Sequence, residues 1–155
     1  HEHSRLCISV ASTSAMPTHA LATHTLAMPL AIAAALLGAE SIDAVDNDPQ
    51  AVAATKDNCA RNGLPEDRVT SLLPDQFDAL QRQGSVDILL ANILAEPLHS
   101  LAPLFATLVR PGGDLVLSGL LAEQAEGIVS RYSEWFSMGE PVQQDDWIRL
   151  SGTRR

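Results

Sequence analysis

The sequence is poor in aromatic residues, with two Trp, one Tyr and three Phe among 155 residues. Its hydrophobic share is nevertheless 46%, which is typical of globular domains and argues against a disordered chain. A chain of this length buries roughly two-thirds of its unfolded surface and most simply forms one domain. We therefore expect a core built mainly from Leu, Ile, Val and Ala side chains.

Basic residues are also scarce, because 10 Lys and Arg stand against 19 Asp and Glu, for a formal net charge of −9. This balance argues against a domain that binds nucleic acid through its phosphates, since such binding needs clustered Lys and Arg. An acidic surface remains compatible with a basic protein partner. No direct nucleic-acid binding is expected.

Cysteine is limited to Cys7 and Cys59, which lie far apart and form no C-x-x-C pair. Two isolated thiols predict reduced, buried side chains and a cytoplasmic protein. The apolar stretch 21–37 is interrupted by polar residues and by Pro29, and no basic cluster flanks it. It therefore predicts a globular helix rather than a signal or membrane segment.

From Leu30 onward, segments of helical period alternate with short apolar segments, which predicts a parallel α/β sheet with helices on both faces. The last two strands are separated only by a polar turn, which predicts an antiparallel hairpin. There are no repeats and no linker long enough to split the chain. Helices are predicted at 30–38, 49–62, 75–82, 96–109 and 122–135, a turn at 111–113, and strands at 41–46, 68–72, 86–94, 114–119, 136–143 and 147–153.

Polar residues close the strand predicted at Ser41–Asp46, where Asp46, Asn47 and Asp48 end the apolar alternation and Pro49 begins a helical pattern. In an open parallel sheet, ligands bind beyond the carboxyl ends of the strands. A carboxylate at Asp46 can accept hydrogen bonds from both hydroxyls of an adenosine ribose, whereas Asp48 is suited to cap the next helix. The alternative is that these residues serve only as turn and cap residues.

Asn92 follows a nearly continuous apolar run and occupies the carboxyl end of the next buried strand. Its side chain has both a donor and an acceptor, so it can hold the amino-acid end of a cofactor or orient an amine nucleophile. The alternative is a helix-capping asparagine before Glu96. We expect Asp46 and Asn92 to face a common crevice at the carboxyl edge of the sheet.

Segments 30–63, 87–126 and 147–155 together closely resemble the catalytic domain of the PrmA family, whose members use S-adenosylmethionine to methylate amino groups of large-subunit ribosomal protein eleven. The resemblance implies a three-layer class I methyltransferase fold, Rossmann-like, whose sheet ends in an antiparallel hairpin. It also implies S-adenosylmethionine as cofactor and a ribosomal protein as substrate. Asp46 would then bind the ribose, and Asn92 would bind the cofactor near the acceptor amine as the catalytic residue.

Upstream of Leu30 the resemblance fails. The family has a strand followed by a Gly-Cys-Gly-Ser-Gly-like loop, whose glycines let the backbone approach the methionine part of the cofactor. This chain has no glycine before Gly38. The segment 5–10, "RLCISV", can supply the missing first strand but not the loop. We divide the chain into an atypical segment 1–29 and a methyltransferase domain 30–155, and attribute the composition of the former to a displaced reading frame, a truncated gene or an engineered junction.

Two other interpretations stay open. The missing glycines favour a catalytically inactive remnant that no longer binds cofactor. A nicotinamide-dependent oxidoreductase would use Asp46 equally well, but it needs a G-x-G-x-x-G loop, and the terminal hairpin counts against it.

Thr18 and His19 match part of a family stretch without its glycines, and they receive no role here. His19 and His24 have a spacing that suits metal ligation poorly. No metal site is therefore predicted.

Overall fold

The computed structural model of the protein describes residues 5–10 and 27–155. The chain divides into two compact units, residues 1–78 and 79–155. The first unit contains β1 (Arg5–Val10), α1 (Ala27–Leu36), β2 (Ser41–Asp46), α2 (Pro49–Arg61), β3 (Val69–Leu72) and a 3-10 turn (Pro74–Gln76).

Three parallel strands form the sheet of the first unit, in the order β3-β2-β1. The strand predicted at residues 5–10 is confirmed as β1, which runs in register with β2 from Arg5 opposite Ser41 to Val10 opposite Asp46. Residues 42–45 of β2 are therefore paired on both edges of the strand. This central strand is also buried, including the side chains of Asp43 and Asp46.

The core of the first unit is made of small side chains, as expected from the scarcity of aromatics. Thr55 is buried among them, and its hydroxyl donates to the Ala51 carbonyl at 2.8 Å. The thiol of Cys59 is buried and free, as predicted, whereas the side chain of Cys7 lies outside the described part of the chain. The buried apolar residues here are Ala31, Ala35, Ile42, Ala44, Val45, Ala51, Val52 and Val69.

The second unit begins with a single helical turn and ends in antiparallel strands. Its strands pair in the order β4-β5-β8-β6, with β7 also paired to β8. β4 and β5 are parallel, and β8 is antiparallel to β5, β6 and β7. The elements are α3 (Ala79–Arg82), β4 (Val86–Asn92), α4 (Ala95–Leu108), β5 (Val109–Leu121), α5 (Ala122–Tyr132), β6 (Phe136–Met138), β7 (Val142–Gln144) and β8 (Trp147–Arg154).

One face of this second sheet packs against α4 and α5, so side chains along β5 and β8 alternate between buried and exposed. A hydrogen bond connects the two helices: the Tyr132 hydroxyl of α5 donates to the Leu98 carbonyl of α4 at 2.8 Å. Within the described residues, no helix is long and apolar enough to cross a membrane. The fully buried large side chains of this unit are Val86, Leu89, Leu98, Leu108, Leu115, Leu117, Leu120, Tyr132, Phe136 and Leu150.

Three predicted elements are corrected. The helix predicted at 75–82 is interrupted at Phe77, whose backbone is extended, with φ −82° and ψ 114°. The turn predicted at 111–113 is part of β5, where the register with β4 shifts and the Arg110 guanidinium pairs with the Asp87 carboxylate at 2.5 Å. The strand predicted at 136–143 is two short strands, because Pro141 between them has no N–H to donate.

Candidate functional site

Asp46 is the last residue of β2, and only 4% of its surface is exposed. Its Oδ1 accepts a hydrogen bond from the backbone N–H of Asp48 at 2.9 Å. This local bond fixes the carboxylate at the carboxyl end of a strand that is paired on both edges. Asp46 is thus a rigidly held acceptor at the edge where open parallel sheets bind ligands.

Burial raises the pKa of the Asp46 carboxyl above its ordinary value, because the charged form loses hydration. The negative charge of Asp48 adds to this rise, whereas backbone N–H donors from Asp48 and Asn47 oppose it. The carboxylate is therefore costly to keep ionised. A ligand that donates hydroxyl hydrogen bonds to it would offset part of that cost.

Asp48 has a different role from Asp46. Its backbone is extended, with φ −96° and ψ 115°, and its Oδ1 accepts from the N–H of Gln50 at 2.9 Å. Pro49 occupies the first helical position, where no amide donor is needed. The prediction that Asp48 caps α2 is confirmed, and this cap also sets the backbone amide that holds Asp46.

Asn92 is the last residue of β4, half-buried and paired in parallel register with Ser118 of β5. The residue after Ser118 is Gly119, with φ +85°. A Cβ at position 119 would lie 3.0 Å from the side-chain oxygen of Asn92 and 2.8 Å from the Ile93 carbonyl oxygen. Because Gly119 has no side chain, the Asn92 amide can occupy this position.

Gly119 is a site residue that sequence reasoning missed. The available signal was an isolated glycine inside the apolar strand "LVLSGLL", a pattern that indicates a bulge or a close backbone approach. The β5–β8 register does shift between Leu117 and Leu120. What the sequence does not give is the neighbour, Asn92, that the glycine accommodates.

The two predicted site residues lie in different units, Asp46 in the first and Asn92 in the second, each at the carboxyl end of its own strand. That they face one crevice stays a prediction. Thr18, His19 and His24 lie outside the described residues. So does most of the stretch where the family's glycine loop would precede α1.

The chemistry of these two positions is that of recognition rather than of proton transfer. Asp46 offers an acceptor oxygen suited to hydroxyl donors, and the Asn92 amide offers one acceptor and two donors. Neither is a strong base. The residues fit a nucleoside-containing ligand at Asp46 and a polar or amine group at Asn92.

A family model described as ribosomal protein L11 methyltransferase (PrmA) matches residues 1–155. The ribosomal protein L11 methyltransferase of Marinobacter nauticus is 51% identical over 126 residues, which are 81% of this chain and 41% of that protein. That of Shewanella pealeana is 54% identical over 126 residues, 81% of this chain and 42% of that protein. The match therefore spans about two-fifths of the length of these relatives.

Solved structures agree with these matches. The ribosomal protein L11 methylase of Lactobacillus delbrueckii subsp. bulgaricus superposes with a TM-score of 0.74 at 27% identity, over 97% of this chain and 70% of that chain. An RNA methyltransferase of Salinibacter ruber in complex with S-adenosyl-L-homocysteine superposes at 0.65 and 14% identity, over 97% and 80% of the two chains. The fold is thus the α/β fold of class I S-adenosylmethionine-dependent methyltransferases, ending in antiparallel strands as predicted.

Proposed function

The chain belongs to the ribosomal protein L11 methyltransferase (PrmA) family, and we propose that it transfers methyl groups from S-adenosylmethionine to amino groups of a large-subunit ribosomal protein. In this proposal residues 30–155 form the methyltransferase domain, and the atypical segment 1–29 before it contributes the paired strand β1. The activity belongs in the cytoplasm, where reduced thiols such as that of Cys59 are normal. Neither nucleic acid nor a membrane is needed as a partner.

The observation that carries the proposal is the buried Asp46 carboxylate, held by the Asp48 amide at the carboxyl end of a central parallel strand. We assign it to both ribose hydroxyls of the cofactor. Asp48 is excluded from this role because its side chain is already used in capping α2. Residue type, burial and position all suit a charge-assisted contact to a nucleoside.

Asn92 is assigned to the cofactor and to the acceptor amine. Its amide oxygen can accept a hydrogen bond from the attacking amine, and the lack of a side chain at Gly119 leaves room for that oxygen. S-Adenosylmethionine, when bound, supplies a methyl group on a positively charged sulfur. The chain itself then has to align a neutral amine with that carbon and exclude water.

A lysine amine has an unperturbed pKa of about 10.4, so it must lose a proton before it can attack. Asn92 cannot remove that proton, because an amide is not a base at neutral pH. Its role is therefore to orient the amine after deprotonation. We expect the methylation rate to rise with pH up to the pKa of the bound acceptor amine.

The test is methyl transfer to purified large-subunit ribosomal protein eleven, followed by intact mass spectrometry. The proposal predicts added methyl groups with the natural chain and a strong loss with Asn92→Ala. A matched control is Asn62→Ala, which alters an exposed asparagine at the end of α2. Equal methylation by the two variants would refute the role of Asn92.

The second candidate is an inactive remnant that no longer binds cofactor. It rests on one sequence observation, the lack of any glycine before Gly38, which removes the backbone cradle for the methionine part of the cofactor. This candidate predicts no methyl transfer and no cofactor binding. A methylated substrate protein would eliminate it.

A further inference from the structure

Three large apolar side chains are exposed on the second unit at or next to the carboxyl ends of β4 and β5. They are Leu94, Leu121 and Trp147, with exposed fractions of 48%, 37% and 55%. Leu121 and Trp147 stand opposite each other in the β5–β8 pairing. We call these three residues the apolar rim.

The rim adjoins Asn92. Leu94 is two residues after Asn92, and Leu121 is three residues after its register partner Ser118. Leu121 lies within about 10 Å of that pair along the strand direction, since three residues of regular strand span that length and the register shift at Gly119 shortens it. A segment lying on the rim would therefore bring a long side chain within reach of the Asn92 amide.

Two members of the rim occupy positions where leucine is a poor choice for the fold. Leu94 and Leu121 are the N-caps of α4 and α5, and neither makes a side-chain capping hydrogen bond. Ser, Thr, Asp and Asn are strongly preferred there because they satisfy a free backbone amide. At these two cap positions leucine provides no capping hydrogen bond, yet it exposes 48% and 37% of its surface.

Charge around the rim selects the kind of partner. Glu96 lies two residues after Leu94, Glu123 two residues after Leu121, and Asp145 and Asp146 directly precede Trp147. The nearest cation along the chain is Arg149, two residues after Trp147. Apolar side chains with mostly acidic neighbours complement a segment that carries both apolar groups and positive charge.

We propose that the apolar rim docks a lysine-containing segment of the substrate protein, with Trp147 packed against the aliphatic stem of the acceptor lysine or of a neighbouring one. This inference rests on the proposed function, since it assigns residues that select the substrate. The indole presents both an apolar surface and a π-face that attracts a cation. Leu94 and Leu121 cover the apolar side chains next to the lysine.

The test uses the fluorescence of Trp147 in a Trp135→Phe background, in which it is the only indole of the chain. Purified large-subunit ribosomal protein eleven is titrated in, and Leu121→Ser is compared with Leu80→Ser. Leu80 is 84% exposed and lies in α3, which precedes the amino end of β4. Circular dichroism confirms that each variant is folded.

The proposal predicts a saturable blue shift of Trp147 emission and a dissociation constant about tenfold weaker for Leu121→Ser, as for loss of one buried interface leucine. Leu80→Ser should bind as the parent does. No emission change, or equal dissociation constants for the two variants, would overturn it. Binding of S-adenosylmethionine is measured separately, so failure of the proposed function is recognised as loss of cofactor binding with substrate docking intact.

Discussion

Gly119 has no side chain, and the Asn92 side chain uses the space that this leaves. The side-chain oxygen of Asn92 and the Ile93 carbonyl together fill the space where a Cβ of residue 119 would stand. The backbone at Gly119 is also in the left-handed region, which residues with a side chain adopt at a cost of about 1–2 kcal/mol. The lack of space for a Cβ and the left-handed backbone are thus two independent reasons for glycine at position 119.

Replacing this glycine tests both requirements. Gly119→Ala should lower the free energy of unfolding by about 2 kcal/mol, since strain and a contact below 3 Å add together. It should also displace the Asn92 amide and reduce methyl transfer. Urea denaturation and the methylation assay measure the two effects.

Gly127→Ala is the matched control. Gly127 lies inside α5, and an added Cβ would meet nothing within 4 Å. Alanine should stabilise this helix by up to about 1 kcal/mol. If both variants were equally stable, the close approach at Gly119 would not be a constraint.

The burial of Asp46 makes a prediction about pH. The pKa of Asp46 in the folded protein is raised above the unfolded value, so ionised Asp46 lowers the free energy of unfolding at neutral pH. This destabilisation disappears as the pH falls through the raised pKa and the carboxyl becomes protonated. Asp46→Asn keeps an oxygen for the Asp48 amide and carries no charge. It should therefore raise Tm at pH 7, with the difference from the natural chain shrinking toward pH 4.

The same variant should weaken cofactor binding while it stabilises the fold, a trade-off expected of residues kept for function. Thermal unfolding by circular dichroism at several pH values gives the stability part. A lower Tm for Asp46→Asn at pH 7, or a difference that does not change with pH, would contradict it.

The sequence predicts strands and helices correctly where the hydrophobic periodicity ends at a residue that is typical of a strand end or a helix cap. β2 has the predicted ends because apolar alternation stops at Asp46, and α2 begins at Pro49 because Asp48 supplies the cap. Errors occurred where a tertiary contact overrides the local signal. Residues 111–113 read as a turn, yet Gly113 lets the chain approach the Asp87 carbonyl, so β5 starts earlier.

The cap of α2 is the element on which the position of Asp46 depends. Asp48→Ala should lower the free energy of unfolding by about 1 kcal/mol, because the Gln50 amide loses its acceptor. Asp48→Asn keeps the acceptor and should cost little. Urea denaturation of both variants checks the prediction, and a similar loss in both would show that charge rather than capping matters here.

For the molecule as a whole, the amino-acid composition argues against some classes of function, such as nucleic-acid binding. It does not discriminate among the remaining classes. The net charge of −9 argues against nucleic-acid binding, whereas the methyltransferase function is indicated by a resemblance carried by particular segments. The expected crevice uniting Asp46 with Asn92 depends on the arrangement of two units, which no local pattern encodes. Loss of cofactor affinity in both Asp46→Ala and Asn92→Ala is what that expectation predicts.

A bound cofactor should stabilise the folded chain by mass action. S-Adenosylmethionine at 100 times its dissociation constant should raise the free energy of unfolding by about 2.7 kcal/mol. The oxidised nicotinamide cofactor at the same concentration should have no effect. Stabilisation by the nicotinamide compound instead would revive the oxidoreductase interpretation.

Calorimetric titration of S-adenosylmethionine into the natural chain, Asp46→Ala and Asp67→Ala tests the central claim most directly. Asp67 is an exposed acid in the loop before β3 and serves as the matched control. We predict micromolar binding to the natural chain and to Asp67→Ala, and an affinity about 100-fold lower for Asp46→Ala, as for loss of charged hydrogen bonds. Millimolar or absent binding to the natural chain, or equal affinities for the two variants, would contradict the account.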